Sequence, residues 1–158
     1  MRLSTLTLAA TLIAAGAAQA NPVAPADVKF TDGAVAESLT GAAGDPAQGA
    51  QIMKSKKLGN CVACHEASAL SDAPFPGDVG PMLDGVGSRY DEAQLRGILT
   101  NAKMTFEGTV MPAYYKVDGF NRPGDGYTGK APTGPLDPLL SAAQIEDVIA
   151  FLMTLKDE

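Results

Sequence analysis

Apolar positions fall into three helix-spaced runs, separated by stretches dense in glycine and proline. The clearest run lies near the C-terminus, where Ile145, Val148, Ile149 and Leu152 form one stripe. Ser141 is its N-cap and Gln144 completes a capping box. A second helix is predicted from about Asp91 to Asn101, with Leu95, Ile98 and Leu99 at i, i+3 and i+4. A third starts at Asp45, a good N-cap, with Pro46 at the first helical position. Ile52 and Met53 give it an apolar side, and Leu58-Gly59 is its expected end, where glycine makes a natural stop.

The segments between are turn-rich. Ser71 to Gly80 carries Pro74, Pro76 and Gly77, and Gly80 to Gly87 reads as a tight run of turns. From Pro112 to Pro138 there are five prolines and five glycines, which argue for a long ordered loop or a surface insertion. Residues 21–44 are rich in Ala, Pro and Gly, with short apolar patches at Val28 to Phe30 and Val35 to Leu39. They read either as a docking arm or as a lead-in. Residues 1–20 read as a secretory leader: Arg2 is the positive start, Leu6 to Ala18 the uncharged apolar stretch, and Ala18-Gln19-Ala20 the cleavage signal. Cleavage after Ala20 places the mature start at Asn21 and the protein in the periplasm; the rival reading is an uncleaved anchor. The run is too short to span a bilayer, and no membrane span follows it. The expected organisation is a leader (1–20), an N-terminal arm (21–44) and one domain (45–158).

The formal charge is −6, and losing the leader removes Arg2 and no acid. That balance argues against nucleic acid or an anionic membrane surface as partner. The chain has two cysteines and one histidine, and all three lie in Cys61-Val62-Ala63-Cys64-His65. C-x-x-C-H is the attachment sequence for c-type haem. Both thiols can add across the haem vinyl groups from one short turn, and His65 then supplies a nitrogen ligand to the iron. A structural zinc site wants about four Cys or His ligands, and only a carboxylate could complete this one. A thioredoxin-like dithiol would need a βαβ pattern, which is not visible. A disulfide between Cys61 and Cys64 would close a very small loop. The absence of tryptophan also fits a small core in which a porphyrin supplies much of the apolar area.

With one histidine, two histidine ligands within the chain are excluded. Methionine sulfur is the next candidate for the sixth iron position, and Met53, Met82, Met104, Met111 and Met153 are available. Met53 and Met153 sit on apolar helix faces, where methionine is ordinarily core filler. Met82 follows Pro81, close after the His65 side. Met111 is favoured, because Pro112 follows it in a loop-like region, with Met104 second. Thioether ligation raises the potential and fills the sixth position, which suits an electron carrier better than a peroxidase or oxygen binder. Arg89 either pairs with a haem propionate or is a solvated surface arginine. Lys54, Lys56 and Lys57 form a basic run before the motif. No cysteine exists beyond the attachment pair, so the chain has neither a thiolate haem ligand nor a sulfur-carrying nucleophile.

The helix–haem–loop–helix order resembles class I cytochrome c. The resemblance implies an all-α fold with few helices wrapped around one covalent haem c, plus long Gly/Pro-rich loops. It also implies a close crossing of the first and last helices. Gly49, Met53 and Phe151 are placed to form it, although an aromatic is usual where Met53 stands and the spacing from Gly49 to Cys61 is long. Pro81 would accept a hydrogen bond from His65 through its carbonyl or, alternatively, only shape a turn. Met111-Pro112 resembles the distal ligand motif of the class. The set Gly59 to His65, Gly80 to Tyr90, Leu95 to Ile98, Val110 to Lys116, Gly119 to Arg122 and Ile145 to Leu152 is similar, more narrowly, to the SoxX family. That family implies a SoxA-type cytochrome as heterodimer partner and a SoxYZ-type carrier whose cysteine is oxidatively coupled to thiosulfate. Electrons would pass to a small soluble cytochrome c. The L-cysteine S-thiosulfotransferase activity would belong to the complex, with none expected of this chain alone. The alternatives are a free periplasmic class I shuttle and a haem enzyme with a labile sixth ligand.

Overall fold

The computed structural model describes residues 21–121, 123 and 128–157. The leader and Arg122 lie outside them. Among the described residues, four α-helices follow in order: α1 (Pro46–Lys54), α2 (Val86–Arg89), α3 (Glu92–Asn101) and α4 (Ala142–Leu152). Single 3₁₀ turns occur at Pro25–Asp27, Cys61–Ala63, Ser68–Leu70 and Ala102–Met104. Among the described residues there is no strand, only an isolated bridge between Thr31 and Ala34.

Local signals set the helix starts. The Asp45 carboxylate accepts from Ala47 N at 2.8 Å, and Pro46 fills the first turn. Full capping boxes open α3 (Asp91/Gln94) and α4 (Ser141/Gln144), each stabilising its helix by about 1 kcal/mol. α1 stops at Lys54, short of the expected Leu58-Gly59. Ser55 turns extended, and Gly59 N folds back onto Ile52 O at 3.2 Å, so residues 56–59 form a turn instead of another helical turn. The left-handed residue there is Asn60, with φ 48°.

α1 and α4 make the main helix crossing. A Cβ on Gly49 would fall on the Asp147 carbonyl and lie 2.8 Å from Phe151 Cβ, so the approach requires glycine. Met53 and Phe151 are both buried in the same core.

Residues 21–44 are built into that core. Val35 and Leu39 are 2% and 1% exposed. Leu39 N donates to Glu146 Oε1 at 2.7 Å, and the Tyr115 hydroxyl donates to Val23 O at 2.7 Å. Arg96 and Glu146, both buried, pair through Nε–Oε1 at 2.9 Å and Nη2–Oε2 at 3.0 Å. The third guanidinium nitrogen donates to Val35 O at 3.0 Å. One bidentate pair therefore joins α3, α4 and the N-terminal strap.

The Gly/Pro-rich segment begins inside the protein. Ala113, Tyr114 and Tyr115 are buried, and Tyr114 N and Tyr115 N donate to the α3 carbonyls of Leu99 and Thr100. Residues 128–135 are exposed.

Candidate functional site

Cys61–Ala63 forms a single tight turn, launched by the left-handed Asn60. The Cys61 carbonyl accepts from both Cys64 N at 3.1 Å and His65 N at 3.0 Å. That curl brings Cys61, Cys64 and His65 onto one cavity wall. The cysteines are free thiols, so they do not form the disulfide that their spacing allows. Burial pushes the Cys61 thiol up to about 11. It therefore keeps its S–H at neutral pH, the hydrogen that addition to a vinyl group consumes.

His65 is held from behind. Its Nδ1 lies 2.7 Å from Pro81 O. A carbonyl can only accept, so Nδ1 carries the proton and Nε2 keeps its lone pair for a metal. Gly80 N donates to Cys64 O at 2.7 Å, and a Cβ on Gly80 would clash with the imidazole ring at its Cε1. Gly77 N donates to Val62 O at 2.9 Å in the same manner. The 77–81 segment is thus laid directly against the attachment turn. Two glycines permit the approach.

The cavity has a volume of about 820 Å³. Its walls are mostly apolar, including Leu83, Val86, Leu95, Leu99, Val148 and Leu152. Such a space suits a large, flat, mainly apolar group. Among the described residues, no cluster of three or more His, Cys, Asp or Glu side chains could hold a bare metal ion.

The methionines separate clearly. Met111 is half-buried and lines the cavity. Its carbonyl accepts from Lys103 Nζ at 2.7 Å, and its N–H donates to Thr109 Oγ1 at 3.2 Å. Met104 is 51% exposed and absent from the lining, as is Met153. Met82 also lines the cavity, but follows Pro81 on the segment that backs His65. Met53 reaches the lining from α1 and is 1% exposed, as core filler should be.

Arg89 has a role that neither sequence reading contained. Nη1 donates to Asp84 O at 2.7 Å and Nη2 to Met82 O at 3.1 Å, closing the 82–85 turn beside the cavity. Asp84 accepts from Ser68 N at 2.8 Å and from the Ser68 hydroxyl, which hold its carboxyl below the ordinary carboxylate range. Lys54, in the basic run, pairs with Asp72 at 2.8 Å, while Lys56 borders the cavity. Tyr114 was not singled out from the sequence. It lines the cavity and its hydroxyl donates to Gly59 O at 2.9 Å. Burial, and then the neighbouring Cys61, push that phenol up. The only hint in the sequence was two tyrosines directly after Met111-Pro112-Ala113.

The cytochrome c family model matches residues 46–156. The chain belongs to the cytochrome c family. Its fold is the class I cytochrome c fold, helical and wrapped around the prosthetic-group cavity, and the protein binds one covalent haem c. A chain of the crystal structure of SoxXA from P. pantotrophus is 62% identical, with a TM-score of 0.83 over 86% of this chain and 99% of that one. No curated protein matches. The residues fit the haem: two free thiols and an imidazole with Nε2 left open share one apolar cavity of sufficient size. No helix of the described residues is long and apolar enough to cross a membrane.

Proposed function

We propose that this cytochrome is the electron-exit subunit of a SoxAX-type complex in the periplasm. The observation that carries this reading is the meeting of Cys61, Cys64, His65 and Met111 on one cavity, in a chain with no other cysteine or histidine. Cys61 and Cys64 hold the haem through thioethers. His65 Nε2 and the Met111 sulfur would ligate its iron, and the Pro81 carbonyl fixes the His65 tautomer. Bound haem c supplies reversible one-electron redox chemistry. The apolar walls would keep water from it, and Met111 would compete with small ligands for the iron. Arg89 braces the 82–85 turn, and its remaining N–H groups can meet a propionate.

A sulfur nucleophile is missing, so the thiosulfate chemistry belongs to other chains. A SoxA-type subunit couples thiosulfate to a cysteine of a SoxYZ-type carrier. This chain takes the electrons and hands them to a small soluble cytochrome c. The 62% identity to a chain of a SoxXA complex supports the SoxA-type partner. The leader reading of residues 1–20 supports export.

Axial ligation is tested by substitution. Met111→Ala should keep the haem attached, lose the ferric thioether-to-iron charge-transfer band, admit carbon monoxide and cyanide, and lower the potential. Met104→Ala should change none of these. Loss of the band in Met104→Ala with its retention in Met111→Ala would reverse the assignment. Rapid carbon monoxide binding by the wild-type protein at neutral pH would favour a haem enzyme instead.

A further inference from the structure

Met111 is fixed locally by Lys103 and Thr109, both within eight residues of it. Neither reaches the wall that carries the cysteines. Tyr114 does. Its backbone is locked, with N donating to Leu99 O at 3.1 Å and O accepting from Leu140 N at 3.0 Å. Its side chain is buried, and its hydroxyl crosses to Gly59 O, two residues before Cys61. Gly59 is immobilised in turn: its N–H is bonded to Ile52 O, and a Cβ there would lie 3.1 Å from both that oxygen and Cys61 Sγ. Among the described residues, no other side chain of the 109–115 segment hydrogen-bonds to the 59–65 segment.

We propose that Tyr114 is a positioning residue that ties the Met111 segment to the haem-attachment turn and so sets how firmly Met111 holds the sixth iron position. The inference rests on the reading of Met111 as the axial ligand. Three residues span at most about 10 Å, so anchoring Tyr114 confines Met111. Removing the hydroxyl leaves the buried Gly59 carbonyl without its donor and makes opening of the segment more frequent. A competing ligand in solution should then win the iron more often, by about 5-fold for one hydrogen bond.

The test is an imidazole titration of the ferric holoprotein at neutral pH, followed by absorbance. Tyr114→Phe should retain its haem and bind imidazole about 5-fold more tightly than wild type. Tyr115→Phe loses a comparable hydroxyl-to-carbonyl bond, to Val23 O, outside the cavity lining. It should stay within about twofold of wild type, well under the change for one hydrogen bond. In a Met111→Ala background, Tyr114→Phe should add nothing, because the two act through one ligand. If Tyr114→Phe fails to accumulate, 4-fluorophenylalanine at position 114 fills the hydroxyl's place without donating. An affinity equal to wild type, or a gain that persists undiminished without Met111, overturns the inference. If Met111→Ala itself binds imidazole no better than wild type, the axial reading fails and the inference with it.

Discussion

At Asn60 the chain turns left-handed, and the consequence is chemical: the next five residues present two thiols and one imidazole to a single wall. The cavity they face is large enough to decide whether the protein folds. At about 24 cal/mol per Å³, leaving even a tenth of it as dry void costs about 2 kcal/mol, a sizeable part of a typical domain's stability. Cys61→Ala with Cys64→Ala should therefore give a chain that shows no haem stain on denaturing gels and much reduced far-ultraviolet helicity. A double variant that keeps covalent colour would refute thioether attachment. Asp84 offers a pH test. Its folded-state value lies below the ordinary 3.8, so it contributes stability above about pH 4 that is lost as pH falls through the folded value. Asp84→Asn should lower the thermal midpoint more at pH 7 than at a pH below 3.8. Equal differences at both pH values would show that the charge is not responsible. The attachment motif was readable because thioether chemistry constrains residues three apart. The Tyr114 and Arg89 bonds were not, since their geometry depends on how turns and distant segments fold back.

At the scale of elements, the Arg96–Glu146 pair stands out. Both groups are nearly inaccessible, and between them they bind Val35 O, Leu39 N and each other. Arg96→Met leaves a buried carboxylate without its cation and should cost about 3–5 kcal/mol in denaturant unfolding of the holoprotein. Adding Glu146→Leu should recover a substantial part, because the unpaired charge goes with it. A double variant less stable than Arg96→Met by a further comparable step would mean that the two act independently. The helices themselves were legible: cap residues and apolar stripes act within a few positions, and α3 and α4 start where Asp91 and Ser141 place them. The end of α1 was not, because the Gly59 to Ile52 bond that replaces its last turn is tertiary in origin. Residues 21–44 carry no helical period, and what orders them are side chains as many as 108 positions away.

For the whole molecule, the account comes down to a division of labour. On the proposed reading, with Met111 as the second iron ligand, this chain supplies a closed electron site and no sulfur nucleophile, and a partner supplies the rest. Stopped-flow absorbance tests that most directly. The oxidised holoprotein is mixed with thiosulfate alone, then with thiosulfate, a SoxA-type subunit and a SoxYZ-type carrier. The account predicts no change in the first mixture and conversion to the reduced spectrum in the second, reversed on adding an oxidised small soluble cytochrome c. Thiosulfate turnover by the isolated chain, or an oxidised spectrum that persists in the full mixture, would contradict it.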